Sequence, residues 1–183
     1  MREIVPLPRE EYEGYEIHFS YESEIYYDVR LRDTRQGFTV DFVRMPFPVP
    51  REKEFTDKLY EAYWKDAEAY GIFEEDALVG ILEVAPETWN NRLRVTNLWV
   101  HEDYRRKGVG HDLLERAKQI SAERGHRAVI LETQSSNANA IAFYVSQGFT
   151  LGGFNTTEYS NEDVEKKEVR MEMVYKPSRV NPY

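Results

Sequence analysis

Arg105, Gly108 and Gly110 stand at the spacing Arg-x-x-Gly-x-Gly within Leu98-Trp99-Val100-His101-Glu102-Asp103-Tyr104-Arg105-Arg106-Lys107-Gly108-Val109-Gly110-His111. An apolar strand end runs into a polar turn, then through the two glycines into a helix. Val109, Leu113, Ala117 and Ile120 recur there at helical spacing, which predicts a buried helix face. The first backbone N–H groups of a helix have no partner within it, and the helix dipole adds positive potential. Glycines at that point remove the side chains that would hold an anion away. The chemistry on offer is capture of an anion, a pyrophosphate above all. A glycine turn with no ligand is the plain alternative. The Gly-x-x-x-x-Gly-Lys-Ser/Thr spacing of a nucleotide P-loop is absent, and so is the three-glycine dinucleotide fingerprint.

A second stretch, Asn137-Ala138-Asn139-Ala140-Ile141-Ala142-Phe143-Tyr144 with Gly148-Phe149 beyond it, sets an amide and a phenol seven residues apart. Together the two stretches resemble the GNAT superfamily of acetyl-CoA-dependent N-acetyltransferases. The resemblance implies that Arg105, Arg106, Lys107, Gly108, Val109, Gly110 and His111 hold the coenzyme A pyrophosphate. It implies that Leu98, Trp99 and Val100 offer backbone groups to the pantetheine and an N–H to the thioester oxygen. Such a donor is worth about 2.7–4 kcal/mol when it meets the oxyanion position. Asn137 is by resemblance a pantetheine contact, and on its own terms a good N-cap for the helix that it opens. Tyr144, at the edge of that helix's buried stripe, is the expected general acid for the leaving sulfur. A ring that only packs is the alternative. Trp99 also reads as an ordinary core aromatic, and His111 as solvated surface.

A closer similarity begins at Leu131-Glu132-Thr133-Gln134 and runs through Phe143-Tyr144, Gly148-Phe149 and Tyr159-Ser160-Asn161. It resembles the streptothricin acetyltransferase branch, which acetylates an antibiotic carrying a β-lysine amine. Glu22-Ser23-Glu24 and Trp89-Asn90-Asn91-Arg92 are similar to segments of the same branch. One departure matters. Enzymes of that branch tend to carry Glu-Asp on the strand before the phosphate loop, where this chain has Thr96-Asn97. A primary amine is mostly protonated near pH 7, so a base must take its proton, directly or through water. Glu132 is the candidate, five residues before Asn137, where ribosomal-protein alanine acetyltransferases of the superfamily carry their base. Its neighbours Ile130 and Leu131 suggest a partly buried carboxylate, raised in pKa by desolvation. It reads equally as a carboxylate holding a backbone group or an arginine. Glu83, on an apolar strand, is the reserve.

The elements that must position these groups read as follows. Ile25, Tyr27, Val29 and Leu31 alternate, as do Phe38, Val40 and Phe42, around a turn at Asp33–Gly37, which predicts a hairpin. Pro46, Pro48 and Pro50 read as a stiff link. Phe55, Leu59, Tyr63, Ala67 and Tyr70 predict a helix over 52–70, ended by Gly71. Strands follow at 72–74, 78–84 and 93–100, with a loop over 86–91. The helix from Val109 stops near Gly125, and Ala128–Leu131 reads as a buried parallel strand reached by a right-handed crossover. Another helix runs from Asn137 to Gly148, then strands at 149–151 and 169–175 enclose a polar connection over 155–168. The tail from Lys176 is expected to fray. The predicted fold is therefore α/β of the GNAT kind: a central mixed, mostly antiparallel sheet flanked by helices, with a parallel pair around the acetyl-CoA site. A single domain over 1–183 is expected, with a variable part at 1–50 and the core at 52–175.

Of 183 residues, 41% are apolar and 31% charged, and no apolar run is long enough for a membrane span. No signal peptide is legible at the start. The chain has no cysteine, which removes disulfides, thiolate metal sites and a cysteine nucleophile. His18, His101, His111 and His126 lie on different elements with no pair at ligand spacing, so no metal is expected. A net charge of −9 argues against nucleic acid and suits a cationic amine, although solubility alone also accounts for it. The resulting expectation is a cytoplasmic N-acetyltransferase that moves acetyl from acetyl-CoA to a primary amine of a small cationic molecule, with streptothricin-type antibiotics favoured. A protein or peptide amine acetyltransferase and a catalytically silent coenzyme A sensor are the rivals. The partners expected are a small-molecule amine and, as an option, a second copy in a homodimer, without nucleic acid or membrane.

Overall fold

A computed structural model describes residues 2–177, so most of the tail expected to fray lies outside the described residues. In chain order the elements are strand β1 (Val5–Leu7), one helical turn α1 (Arg9–Tyr12), strands β2 (Glu16–Thr34), β3 (Gly37–Lys58), β4 (Glu68–Glu74), β5 (Ala77–Glu87) and β6 (Arg92–Val100), a 3-10 turn (Glu102–Tyr104), helix α2 (Val109–Glu123), strand β7 (Ala128–Gln134), helix α3 (Ala138–Ser146), strand β8 (Thr150–Asn155), a short helix α4 (Asp163–Lys166) and strand β9 (Arg170–Tyr175). The chain divides into two units. One holds the residues up to Phe19, Phe55–Leu131 and the chain from Tyr175, and the other holds Ser20–Glu54 and Glu132–Val174.

In the first unit, β1, β4, β5 and β6 pair antiparallel in that order, and β7 pairs parallel to β6. The strands β4 and β5 carry continuously buried, mainly apolar runs, and α2 supplies the connection that a parallel pair requires. Val109, Leu113, Leu114, Ala117 and Ile120 are all essentially inaccessible, so the face that the sequence predicts is the face buried. Each of the Val, Leu and Ile side chains among them contributes about 1.5–3 kcal/mol of burial. The start of α2 is seated on Gly80 of β5. A Cβ at Gly80 would lie 2.6 Å from a Val109 methyl and 3.1 Å from one of Leu113. That close approach fixes where the helix begins, and with it the loop before it. Among the described residues no helix is long and apolar enough to cross a membrane.

The second unit holds the central part of the β2–β3 hairpin, α3, α4 and the antiparallel pair β8–β9. The hairpin is stitched to the rest of this unit by polar contacts. Tyr27 N–H donates to the Ser135 carbonyl (2.8 Å), Asn139 Nδ2 to the Glu22 carbonyl (3.0 Å), and Lys53 Nζ to Gln134 (2.8 Å) and Glu168 (2.9 Å). Lys167 reaches Asp28 at 2.8 Å, and Phe42 meets Phe154 edge-on at 5.2 Å.

Two expectations fail in the same region. Residues 52–70 are not a helix: β3 runs on to Lys58, a turn follows, and β4 begins at Glu68. The i, i+4 apolar residues do not share a face, because Leu59 is 0% exposed while Phe55 and Tyr63 are 45% and 66% exposed. Tertiary partners decide the matter. Tyr60 donates its N–H to Glu83 (2.6 Å) and its hydroxyl to the Leu7 carbonyl, and accepts from Ala69 N–H (3.0 Å). Nor is the proline run a link, since it lies inside β3. Pro46, Pro48 and Pro50 recur every second residue, so their missing N–H groups all fall on one edge. A two-stranded sheet needs only the other edge.

Candidate active site

The candidate anion cradle lies in the first unit. The 3-10 turn is capped by His101, whose ring nitrogen accepts from Asp103 N–H at 3.3 Å, so this histidine serves the turn. Arg105, Arg106, Lys107 and Gly108 are exposed, and Gly108 takes φ +87°, a left-handed conformation that a side chain would strain. The 15-residue helix α2 starts at Val109, and no side chain caps it. The first N–H groups of such a helix have no partner within it, so Val109 and Gly110 present donors to an outside acceptor or water. Lys107 Nζ lies 5.2 Å above the Tyr104 ring, and Arg105 Nε donates to the Val100 carbonyl at 3.4 Å.

The parallel register between β6 and β7 runs from Arg92 and Ala128 to Arg94 and Ile130, while β6 pairs with β5 as far as Val100. Leu98, Trp99 and Val100 lie on this last part of β6. The Trp99 ring is a packing group: its Nε1 donates to the His18 carbonyl at 2.9 Å, and it lies against the cluster of Leu7, Ile17, Leu59 and Ile81.

The β5–β6 register slips at one place. Glu83 faces Asn97, but Val84 faces Val95, so Thr96 is an extra, bulged residue. The bulge aims two successive side chains at one carboxylate. Thr96 Oγ1 donates to Glu83 Oε2 at 2.6 Å, and Asn97 Nδ2 donates to the same oxygen at 3.0 Å. Glu83 is fully buried, and Tyr60 N–H occupies its other oxygen at 2.6 Å. The strand that lacks its own carboxylate is thus served by the one beside it. Burial raises the Asp57 carboxyl, and the charges of Glu83 and Glu61 add to the effect, so three acids share this neighbourhood.

The second unit carries Glu132, Asn137 and Tyr144. Asn137 caps α3, its side-chain oxygen accepting from Ala140 N–H at 3.1 Å. Tyr144 sits on α3 with its ring 6.2 Å from that of Phe149, and burial pushes its phenol up to about 12. No hydrogen bond to its hydroxyl is found among the described residues. Glu132 departs from the partly buried carboxylate expected. Its side chain is 44% exposed, one oxygen is paired with Arg170 Nε at 2.7 Å, and the other accepts from Tyr159 at 3.3 Å. Burial and the nearby Glu132 charge both push the Tyr159 phenol up. Both faces of β7 are buried from Ala128 to Leu131, and exposure begins at Glu132, past that buried run. Among the described residues, no group of three His, Asp or Glu side chains could hold a metal ion.

The profile of the Acetyltransferase (GNAT) family matches residues 11–149. The chain belongs to that family. Escherichia coli streptothricin acetyltransferase is 34% identical over 145 residues, 79% of this chain and 79% of its own. Among solved structures, nourseothricin acetyltransferase superposes with a TM-score of 0.71 at 26% identity, covering 95% of this chain and 97% of that one. A putative streptothricin acetyltransferase from Bacillus anthracis, solved in complex with acetyl coenzyme A, gives 0.72 at 22% identity over 96% and 97%. The protein is thus an acetyl-CoA-dependent N-acetyltransferase. The candidate residues are compatible with that co-substrate: an uncapped helix start, a left-handed glycine and a basic run are features that suit a pyrophosphate. Three contacts escape a reading of the sequence: the cross-strand slip that turns Thr96 toward Glu83, the seat of α2 on Gly80, and the side-chain contacts of Arg2 with the loop.

Proposed function

We propose that this acetyltransferase modifies a primary amine of a small cationic molecule of the streptothricin type. The likeness to the E. coli streptothricin enzyme over most of both chains carries the reading. The acids around Asp57, Glu61 and Glu83 support it, since they favour a cationic acceptor. The family match includes parts of both units, which supports one acetyltransferase domain. Because the enzyme draws on acetyl-CoA, the cytoplasm is the compartment proposed. In a screen of acetyl-CoA consumption, a β-lysine-bearing antibiotic should give the highest kcat/KM, and peptides with free N-termini should give none above background. Turnover of the peptides without the antibiotic would reverse the assignment.

Bound acetyl-CoA supplies a thioester activated toward attack by an amine. We assign its pyrophosphate to Arg105–His111 and its pantetheine to the β6 backbone at Leu98–Val100 and the amide of Asn137. A backbone N–H of the same β6 segment is the proposed oxyanion donor. Glu83 is the proposed proton acceptor, working through Thr96: the Thr96 hydroxyl donates to Glu83, so its own lone pairs can accept from the amine or from water. Tyr144 keeps its proton, because burial disfavours phenolate, and can hand it to the leaving sulfur. The same enclosure disfavours a thiolate beside the ring, which narrows the gap in acidity between the two.

Glu132 is the competing base, and a pair of variants separates it from the relay. Thr96→Val should lower kcat about 10–100-fold and leave the KM for acetyl-CoA unchanged. Glu132→Gln should change kcat less than threefold, since Arg170 and Tyr159 already occupy its oxygens. If Glu132→Gln gives the larger loss, deepest at low pH, the base is Glu132 and Thr96 only supports the bulge.

A further inference from the structure

Arg2 is more than a hundred residues from the phosphate loop in sequence, yet its guanidinium reaches the loop from behind. Nη2 donates to the Lys107 carbonyl at 2.7 Å, Nη1 to Asp112 at 3.1 Å and Nε to Glu74 at 3.1 Å. Its backbone N–H also points at Asp112, at 3.4 Å. Three donor directions of one planar group therefore join the end of β4, the loop and the first turn of α2.

We infer that Arg2 is a positioning residue that presets the loop for the pyrophosphate of coenzyme A. A trans peptide is planar, with its C=O and N–H pointing in opposite directions. Holding the Lys107 oxygen against Arg2 therefore turns the Gly108 N–H to the other side, away from the guanidinium. Flipped, the same peptide would present an oxygen to an anion instead of a donor. The flip would be easy without a clamp, because Gly108 has no side chain and already sits at φ +87°. Arg2 also answers a charge problem. Asp112 is buried in the first turn of α2, where its carboxylate would repel an incoming anion, and the guanidinium balances it. Glu74 is the outer, more exposed anchor that keeps the fork in plane.

This inference rests on the assignment of Arg105–His111 to the pyrophosphate, and the test separates the two. The KM for acetyl-CoA is measured beside that for acetyl-pantetheine, which carries the thioester but no pyrophosphate. Arg2→Ala should raise the acetyl-CoA KM about tenfold and leave kcat and the acetyl-pantetheine KM within twofold. Arg2→Lys keeps the charge near Asp112 and loses the fork, so it should show a smaller rise with acetyl-CoA alone. It carries the test if the alanine variant does not fold. An equal loss with both donors would mean a loosened fold and overturn the inference. An unchanged acetyl-CoA KM in both Arg2 variants, where Gly110→Asp raises it, would overturn it too and leave the loop standing. If Gly110→Asp has no effect either, the loop itself is misassigned, and the inference goes with it.

Discussion

Replacing Tyr144 by Phe should lower turnover about 10²–10⁴-fold, the range of general-acid catalysis by a placed side chain. Stability should not fall with it. The Tyr144 hydroxyl has no hydrogen bond among the described residues, so its removal leaves no donor or acceptor without its partner. With no protein hydrogen bond lost, Tm should stay level. The ring remains in place against Phe143 and Phe149. The pH profile adds a second readout. With the phenol pushed up to about 12, the wild-type enzyme should show no loss of the acid as pH rises through the ordinary phenol range near 10. Turnover within threefold of wild type under chemistry-limited conditions would make the donor water. A lower Tm with normal turnover would make Tyr144 a packing residue.

Local signals account for what the sequence discloses. The Arg-x-x-Gly-x-Gly loop, α2 and the Asn137 cap are each specified by residues within a turn or two of one another, and each lies where the pattern puts it. The mixed sheet with its parallel pair follows from strand–helix–strand order. Long-range pairing hides the rest. Leu59 and Tyr60 resemble helix-face residues until Glu83 and Leu7 are brought against them, and then the same side chains close a turn between strands. The prolines of β3 look like punctuation because their period of two matters only once β2 lies along one edge. The surroundings of Glu132 depend on Arg170, which no local pattern announces. Glu83 is the instructive case. At Thr96-Asn97 a missing carboxylate suggests a weakened catalyst, but one bulged residue turns both side chains toward the acid on the next strand. The residue types are written in the sequence; the cross-strand register that turns them toward Glu83 is not.

Gly110→Asp should abolish acetyl-CoA binding without harming the fold, and the two halves of that result argue against each other's trivial causes. Gly110 is the second residue of α2. For a helix considered alone, the substitution is mildly favourable, because Gly is a poor helix former and an acid in the first turn suits the dipole. Unliganded Tm should therefore hold or rise. Acetyl-CoA at 100 times the wild-type Kd should stabilise the wild-type protein by about 2.7 kcal/mol. In the variant, a carboxylate would stand at the N–H groups assigned to the pyrophosphate. Like charges about 4 Å apart at an effective dielectric constant near 20 oppose each other by roughly 4 kcal/mol, nearly a thousandfold in Kd. The ligand-dependent shift should then vanish at the same concentration. Gly110→Ala separates charge from bulk: it should bind acetyl-CoA far better than the aspartate variant, and high salt should recover some binding in the aspartate variant only. Equal losses in the two variants would mean that backbone approach, rather than charge, is what the glycine secures. An undiminished shift in the aspartate variant would remove the loop from the coenzyme site, because no anion resting on those N–H groups could ignore a carboxylate among them.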